Sequence, residues 1–307
     1  MQMPKVSKAR PILLCTDFDE TITQHDTTSL LFELATSTSV SIRQQLMTQY
    51  ANETDEFVRH YKIMWQRQNQ NQKNDFVSEF DDAGLREFLE GYAAVDLRSM
   101  QRVVEDRALK GIRLDDLIKA STEVRIRPDC IETLASIDKW IVISVNWSRK
   151  LVETVMDESG VTFDTTQIIA NELEMNAESV TTGIINVKVQ SSMDKERFVN
   201  HARMMQKDTQ SILVYVGDSV TDLLALIAAD LGIWMVSDAS TSSTKLLDQL
   251  VKFYRIHVHP LIKFNSFREC IAKASDDRPV LFTVSSWAQL KSFIESASKA
   301  DVTKTGN

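Results

Sequence analysis

The sequence predicts an α/β protein, a doubly wound and mainly parallel Rossmann-like sheet with a helical cap inserted after the first strand. Three observations carry this prediction. From residue 128 onward, apolar runs of strand length alternate with helical patterns, the signature of βα units around a parallel sheet. No proline occurs between Ile12 and Arg127, and apolar residues in that interval recur at helical spacing. Aspartates follow the first strand-like run and a later one directly, at the ends where α/β sheets bind ligands.

In chain order, ILLC after Pro11 reads as a short buried strand behind a polar arm. SLLFELA (29–35), DEFVRHYKIMW (55–65), LREFLEGYAAV (85–95) and LRSMQRVVEDRAL (97–109) then make residues 26–125 a helical module. Within it, Phe57, Tyr61 and Trp65 share a helical face that reads first as core. The polar tract QRQNQNQKN (66–74) reads as a solvated helix–helix connection. Pro128 closes the module. WIVIS (140–144) is a strand, and RKLVETVMDESG (149–160) a helix stopped by Gly160. TTQIIANELEMNAESVTTGII (165–185) reads as strand and hairpin, returning near Gly183. DKERFVNHARMMQK (194–207) is a helix, SILVYVG (211–217) a strand, TDLLALIAAD (221–230) a helix and LGIWMV (231–236) a strand. Residues 237–279 predict a solvated loop at STSST (240–244), one helix (245–254) and then mixed loop. His257 and His259 share a strand face, but a zinc site needs three or four ligands and no third is evident. VLFTV (280–284) is a strand and WAQLKSFIES (287–296) a closing helix; the residues from about 299 are expected to fray. One strand cannot fold alone, so residues 1–25 join 126–307 as the core, with 26–125 as the cap.

Composition limits the function. Of the 307 residues 43% are hydrophobic and 25% charged, with a net charge of −8, which fits a soluble globular chain. No nucleic-acid footprint is expected, because phosphate-backbone binding needs clustered Lys and Arg. Three cysteines, Cys15, Cys130 and Cys270, suggest neither a disulfide framework nor a zinc site and fit a reducing compartment. The N-terminal apolar run is too short for a signal peptide and no run is long enough to span a membrane. The expectation is a cytoplasmic protein with no membrane partner; nothing in the sequence fixes its oligomeric state.

CTDFDETIT (15–23) places Asp17 and Asp19 two residues apart at a strand end, where they repel each other unless something positive sits there. In extended backbone both point the same way. Two further strand ends carry Ser144 and Asn146, then Asp218, Ser219 and Asp222, and Lys195 begins a helix between them. The ordered set LLCTDFDET, IVIS, Lys195 and GDSVTD resembles the haloacid dehalogenase-like hydrolase superfamily. Lys188 and Lys207 are weaker rivals for the isolated lysine, and Asp194 could make Lys195 an ordinary residue after an N-cap.

The resemblance implies a phosphoester hydrolase with an aspartyl-phosphate intermediate. Asp17 is the expected nucleophile and Asp19 the general acid and base. Asp17, Asp19 through its backbone carbonyl, and Asp218 are expected to hold Mg²⁺, with Asp222 beside them as a further ligand or as the group orienting a water or Lys195. Ser144, the amides of Val145 and Asn146, and Lys195 are the phosphate-binding candidates. Thr21, His25 and Trp147 are candidates for substrate contact. An acid at position 19 resembles the phosphatases and phosphomutases, and the insertion resembles a helical cap. IIANELE and the hairpin are similar to the phosphoserine-phosphatase branch, although ISVNWS lacks the two glycines usual after its serine. VYVGDSVTDLLALIAADLGI resembles the phosphatase domain of plant thiamin monophosphate phosphatases and their fungal relatives. The expected substrate is a small phosphorylated metabolite, with thiamin monophosphate, a nucleotide and phosphoserine as rivals. A phosphotransferase or mutase, and a non-catalytic protein that retains the fold, are the alternatives.

Overall fold

A computed structural model describes residues 10–35, 38–71, 80–205, 211–236, 242–274 and 278–303. The chain opens with β1 (Ile12–Thr16) and passes to α1 (Thr28–Leu34), α2 (Val40–Asn71), α3 (Asp82–Glu105), β2 (Lys110–Arg113) and α4 (Leu114–Ser121). It continues through α5 (Cys130–Ala135), β3 (Lys139–Ile143), α6 (Arg149–Glu158), β4 (Ile168–Ile169), β5 (Glu172–Met175) and β6 (Val180–Asn186). Then come α7 (Ser192–Met205), β7 (Ile212–Gly217), α8 (Leu223–Ala228), β8 (Leu231–Met235) and α9 (Ser242–Phe253). It ends in β9 (His257–Pro260), α10 (Phe267–Ala274), β10 (Val280–Val284) and α11 (Trp287–Thr303).

Seven strands form one sheet in the order β4-β3-β1-β7-β8-β10-β9, and every neighbouring pair is parallel. Alternation along the strands gives each face its own core. Leu14 of β1, Val214 and Val216 of β7 and Phe282 of β10 face one side, under α5, α6, α10 and α11. Leu13 and Cys15 of β1, Tyr215 of β7 and Leu281 of β10 face the other, under α7, α8 and α9. After β1 the chain first builds outward through β3 and β4, then returns to β7 on the other side of β1. The crevice at this reversal lies beyond the carboxyl end of β1, where open α/β sheets place their ligands.

Residues 26–125 leave and re-enter at adjacent points. Thr23 and Ile126 form an antiparallel bridge, and the Arg127 amide donates to the Ile22 carbonyl at 2.8 Å. The segment is not wholly helical. Its β2 pairs with β6, which pairs with β5, giving a second three-stranded sheet. Four residues, KGIR, are too few for a strand period to stand out after a long helical pattern. The hairpin also turns at residues 176–179, where the Asn176 side chain accepts from the amides of Glu178 and Val180. Gly183 lies inside β6 at φ +89°, where a Cβ would meet Arg107 at 2.9 Å. Between the two helices predicted near the C-terminus the structure adds edge strand β9 and helix α10.

Contacts tie the inserted helices to the core. Trp65 of α2 stacks on Phe253 of α9 with ring centroids 4.5 Å apart. Phe57 and Tyr61 pack against Phe88. Arg86 of α3 makes a two-pronged pair with Glu196 of α7, both contacts at 2.8 Å. The start of QRQNQNQKN continues α2, and the rest of that tract lies outside the described residues, as do the first two residues of STSST, Lys207 and residues 304–307. Among the described residues no helix is long and apolar enough to cross a membrane.

Candidate active site

The loop after β1 is wound tightly. The Phe18 carbonyl accepts from the amides of Thr21, Ile22 and Thr23, and Glu20 adopts a left-handed φ of 55°. Trp287 Nε1 donates to the Thr21 carbonyl at 2.8 Å and Arg127 Nε to the Glu20 carbonyl at 3.0 Å. Phe18 is fully buried in the core, and Asp17 and Asp19 on either side of it are left to face the crevice.

Asp17 Oδ1 accepts from the Phe18 amide at 2.7 Å and Oδ2 pairs with Lys195 Nζ at 2.8 Å. Lys195 has no exposed surface, and its ammonium also pairs with Asp222 Oδ1 at 2.7 Å. It sits near the start of α7, which is capped by the Ser191 side chain. The Ser191 hydroxyl accepts from the Asp194 amide, and the Asp194 carboxylate returns to Ser191 and to the Gln190 amide. The cap is therefore Ser191, not Asp194. Of the rival lysines that are described, Lys188 is exposed.

Asp222 lies in the metal-capable cluster but both its oxygens are engaged. Oδ1 accepts from Lys195 and from the Tyr215 hydroxyl at 2.7 Å. Oδ2 accepts from the amides of Asp218 and Ser219 and from the Ser219 hydroxyl, at 2.9 to 3.2 Å. Its geometry is that of a residue holding Lys195 and the 218–219 turn. Asp218 Oδ1 accepts from the Thr21 hydroxyl at 3.0 Å. Thr21 is fully buried, and its hydroxyl is directed at Asp218. His25 is exposed and lies off the cavity lining.

Asp19 has a different environment. Oδ1 accepts from the Thr27 amide and hydroxyl at 2.9 and 2.7 Å, and Oδ2 from Asn146 Nδ2 at 2.7 Å. The Asn146 amide donates to the Ser144 hydroxyl at 3.1 Å, so that amide does not face the crevice as expected. The Val145 amide donates to no described residue. Asn171 holds this corner together. Its side chain donates to the carbonyls of Val145 and Val189 and accepts from the amides of Lys188 and Val189.

Burial dominates the titration of the site. It pushes Asp17 up to about 7, with help from Asp222 and against the pull of Lys195. It pushes Asp19 up to about 6, reinforced by Asp26 and opposed by Asn146 and Thr27. Asp218 is raised well above the usual carboxylate range by burial, Asp222 and Asp17. Burial works against the charge on Asp222 too, yet Lys195 and Tyr215 hold its carboxyl below that range. For Lys195, burial is outweighed by Asp17 and Asp222, which hold the ammonium above the usual lysine range. Three buried carboxylates with ligand oxygens within 4.8 Å of one another face a single buried ammonium. The Asp19 carbonyl beside them accepts no hydrogen bond from a described residue. An all-oxygen, negatively charged set of this kind suits a hard divalent cation.

The crevice opens into a cavity of about 670 Å³. Asp17, Asp19, Asp218, Val145, Asn146 and Trp147 line it on the sheet side. Phe32, Tyr50, Tyr92, Asp96, Met100 and Val103 line it from α1, α2 and α3. Trp147 meets Phe32 edge to face at 6.0 Å. Sequence reading did not find Thr27, Tyr215, Asn171, Tyr50 or Asp96. Only Tyr215 carries a signal, since a hydroxyl within a buried Val-rich strand must find a partner.

The chain is 28% identical to the Bifunctional TH2 protein, mitochondrial, of Arabidopsis thaliana, over 92% of this chain and 49% of that one. It thus spans about half the length of that relative. It is 26% identical to a CTO1 family protein of Schizosaccharomyces pombe, over 91% of this chain and 98% of that one. Among solved structures, a phospho-aspartyl intermediate analogue of phosphoserine phosphatase matches with a TM-score of 0.47 and 16% identity, over 78% of this chain and 91% of that one. A cytosolic 5'-nucleotidase IIIB bound to cytidine matches at 0.49 and 14%, over 95% and 87%. The family model described as haloacid dehalogenase-like hydrolase matches residues 13–230, from β1 to the end of the β7 loop and α8, and the chain belongs to that family.

Proposed function

We propose that the protein is a Mg²⁺-dependent phosphomonoester hydrolase acting on a small phosphorylated metabolite. The observation that carries this reading is Asp17, held by the Phe18 amide and Lys195 at the floor of the cavity, with a second acid two residues on. Asp17, Asp218 and the Asp19 carbonyl would hold the metal, which when bound supplies positive charge against the phosphoryl oxygens and the acids around it.

The Asp17 carboxylate attacks phosphorus, forming an O–P bond as the bond to the leaving oxygen breaks. Asp19 gives its proton to that oxygen. It then takes a proton from the water that attacks the aspartyl-phosphate, releasing inorganic phosphate and restoring Asp17. A carboxyl raised to about 6 holds and releases a proton near neutral pH. Thr27 and Asn146 fix its direction. Lys195, the Ser144 hydroxyl and the Val145 amide are the donors for phosphoryl oxygens. Residues 26–125 bring α2 and α3 over the leaving group and shield it from bulk water.

Thiamin monophosphate is the first metabolite to try, on the resemblance of VYVGDSVTDLLALIAADLGI. Phosphoserine is disfavoured, because its carboxylate would enter a cavity whose lining holds no Lys, Arg or His. The test is hydrolysis of a chromogenic phosphate monoester and of a metabolite panel, with Mg²⁺ against chelator and wild type against Asp17→Asn. Turnover that needs both metal and Asp17 is expected. Full activity in folded Asp17→Asn would overturn the mechanism.

A further inference from the structure

The charged residues lining the cavity are all of one sign. Six carboxylates, Asp17, Asp19, Glu20, Asp26, Asp96 and Asp218, border it, and no basic side chain does. Five of the six belong to the loops around the reacting centre. Asp96 does not. It projects from the middle of α3, among Tyr50, Tyr92, Met100 and Val103.

Among the described residues the Asp96 side chain has one hydrogen bond. Tyr50 of α2 donates to Oδ1 at 2.9 Å, and Tyr92 lines the same stretch of the cavity wall. Oδ2 accepts from no described residue, and no ion pair involves Asp96 among the described residues. The nearby arginines are committed elsewhere, Arg98 and Arg102 both to Glu53. Burial in these surroundings pushes the Asp96 carboxyl up to about 7. An acid placed in an apolar wall without a counter-charge destabilises the fold. Aromatic faces beside it, with Phe32 and Trp147 across the cavity, offer the other half of a cation-binding site.

We propose that Asp96, oriented by Tyr50, is a specificity-determining residue that reads a positive charge on the leaving group, so that preferred substrates are phosphate monoesters of cationic alcohols. The proposal rests on the reading of the site as a phosphomonoesterase for what the cation is attached to, but cation binding itself is independent of turnover. The phosphate end would be met by Lys195 and Ser144 and by the metal that Asp17 and Asp218 would hold. The far end of the molecule, with its positive charge, is placed against the free Asp96 Oδ2 and the tyrosine rings.

The experiment uses a matched pair that differs only in charge, choline and 3,3-dimethylbutanol, and their phosphate monoesters. Binding of the two alcohols to the full chain is followed by quenching of tryptophan fluorescence, with Trp147 in the cavity wall. Wild type is expected to bind choline at least about tenfold more tightly than the neutral isostere, and Asp96→Asn to bind the two equally. A Tyr50→Phe variant, which leaves the charge in place, is expected to keep a reduced preference. In hydrolysis, the same preference is expected in KM and is expected to be lost in Asp96→Asn. Equal binding by wild type, no choline binding at millimolar concentration, or a preference that survives in Asp96→Asn overturns the proposal. Selective choline binding without hydrolysis of any monoester in the presence of Mg²⁺ would instead overturn the catalytic reading and leave the cation site standing. The thermal midpoint of Asp96→Asn checks that the variant is folded.

Discussion

Gly217 closes β7 immediately before Asp218, and its role is spatial. Its backbone is not in the left-handed region. A Cβ at that position would sit 2.4 Å from Asp222 Cγ, 2.6 Å from its Cβ and 2.8 Å from Oδ2. Ordinary contact begins near 3.4 Å, so Asp222 must retreat by about 1 Å. Five hydrogen bonds of 2.7 to 3.2 Å converge on its carboxylate, and a displacement of that size breaks most of them. Overpacking costs about 1–3 kcal/mol, and separating a buried ion pair costs about 3–5 kcal/mol when it is complete. Gly217→Ala should therefore destabilise the protein by about 2–4 kcal/mol, which lowers the thermal midpoint by roughly 3–6 °C for a chain of this size. It should also cost at least about 100-fold in kcat, because Lys195 loses the partner that aims it at Asp17. Gly160→Ala is the control. Gly160 has φ +78° and nothing within 4 Å of a Cβ, so it should lose about 1 kcal/mol through backbone strain with unchanged turnover. Differential scanning fluorimetry and steady-state kinetics on both variants decide the matter. Gly217→Ala with wild-type kcat would refute the claim that Asp222 positions Lys195.

Three further outcomes follow from the same geometry. Asp96 is raised to about 7 from an unfolded value near 3.9; the folded chain thus holds a proton that the unfolded chain releases, and wild-type stability falls as pH rises across that window. Asp96→Asn lacks this loss, so it should match wild type near pH 4 and gain up to about 4 kcal/mol by pH 7, read from urea unfolding at each pH; a pH-independent difference would count against the burial argument. Thr27→Val removes the 2.7 Å hydroxyl bond to Asp19 and leaves the amide bond, so kcat should fall by roughly tenfold with little change in KM or midpoint. Trp65→Ala empties a site only 7% exposed, stacked on Phe253, and should cost about 3–5 kcal/mol while leaving the Asp17-dependent step intact in the folded fraction.

What the sequence made legible depended on how far apart the partners lie. Asp17, Asp19, Ser144 and Asp218 follow strand-like runs directly, and those runs form neighbouring parallel strands β1, β3 and β7, so one rule about strand ends places all four. Lys195 was legible as a candidate only through the resemblance. Thr27 was not, because its partner Asn146 lies 119 residues away and a Thr after an Asp carries no periodic signal. Asn171 was quoted within IIANELE, yet its task of holding four backbone groups depends on where the loop at 188–189 comes to rest. The pairing of β2 with β6 joins residues 110–113 to residues 180–182 across the insertion boundary, a contact invisible to any local window. His25 and Thr21 were misjudged for the opposite reason. Nearness in sequence to Asp19 suggested the cavity, whereas the tight turn at Phe18 sends Thr21 inward to Asp218 and leaves His25 in solvent.

The two carboxylates of CTDFDETIT coexist because the fold gives them unlike neighbours. Asp17 touches an ammonium at 2.8 Å, and with Asp218 it belongs to the cluster that would hold a cation. Asp19 is bonded only by neutral donors, an amide and a hydroxyl of Thr27 and the Asn146 carboxamide. Neutral donors stabilise a carboxylate less than a charge does; burial nevertheless raises both carboxyls, Asp17 to about 7 and Asp19 to about 6, so on the proposed mechanism a divalent cation beside Asp17 would be what makes Asp17 the first to ionise. Pairs of acids whose surroundings separate them in this way divide the work of nucleophile and proton donor between them. Here the division is written by residues on opposite sides of the insertion. Thr27 stands at its first helix and Asn146 in the loop after β3; the Asn146 carboxamide donates to the Thr27 hydroxyl at 2.8 Å, and both side chains donate to Asp19. On the proposed mechanism, any movement of residues 26–125 relative to β3 pulls on Asp19 through Thr27 before it reaches Asp17, so proton donation, and not attack, is expected to be the step most sensitive to the seating of the insertion.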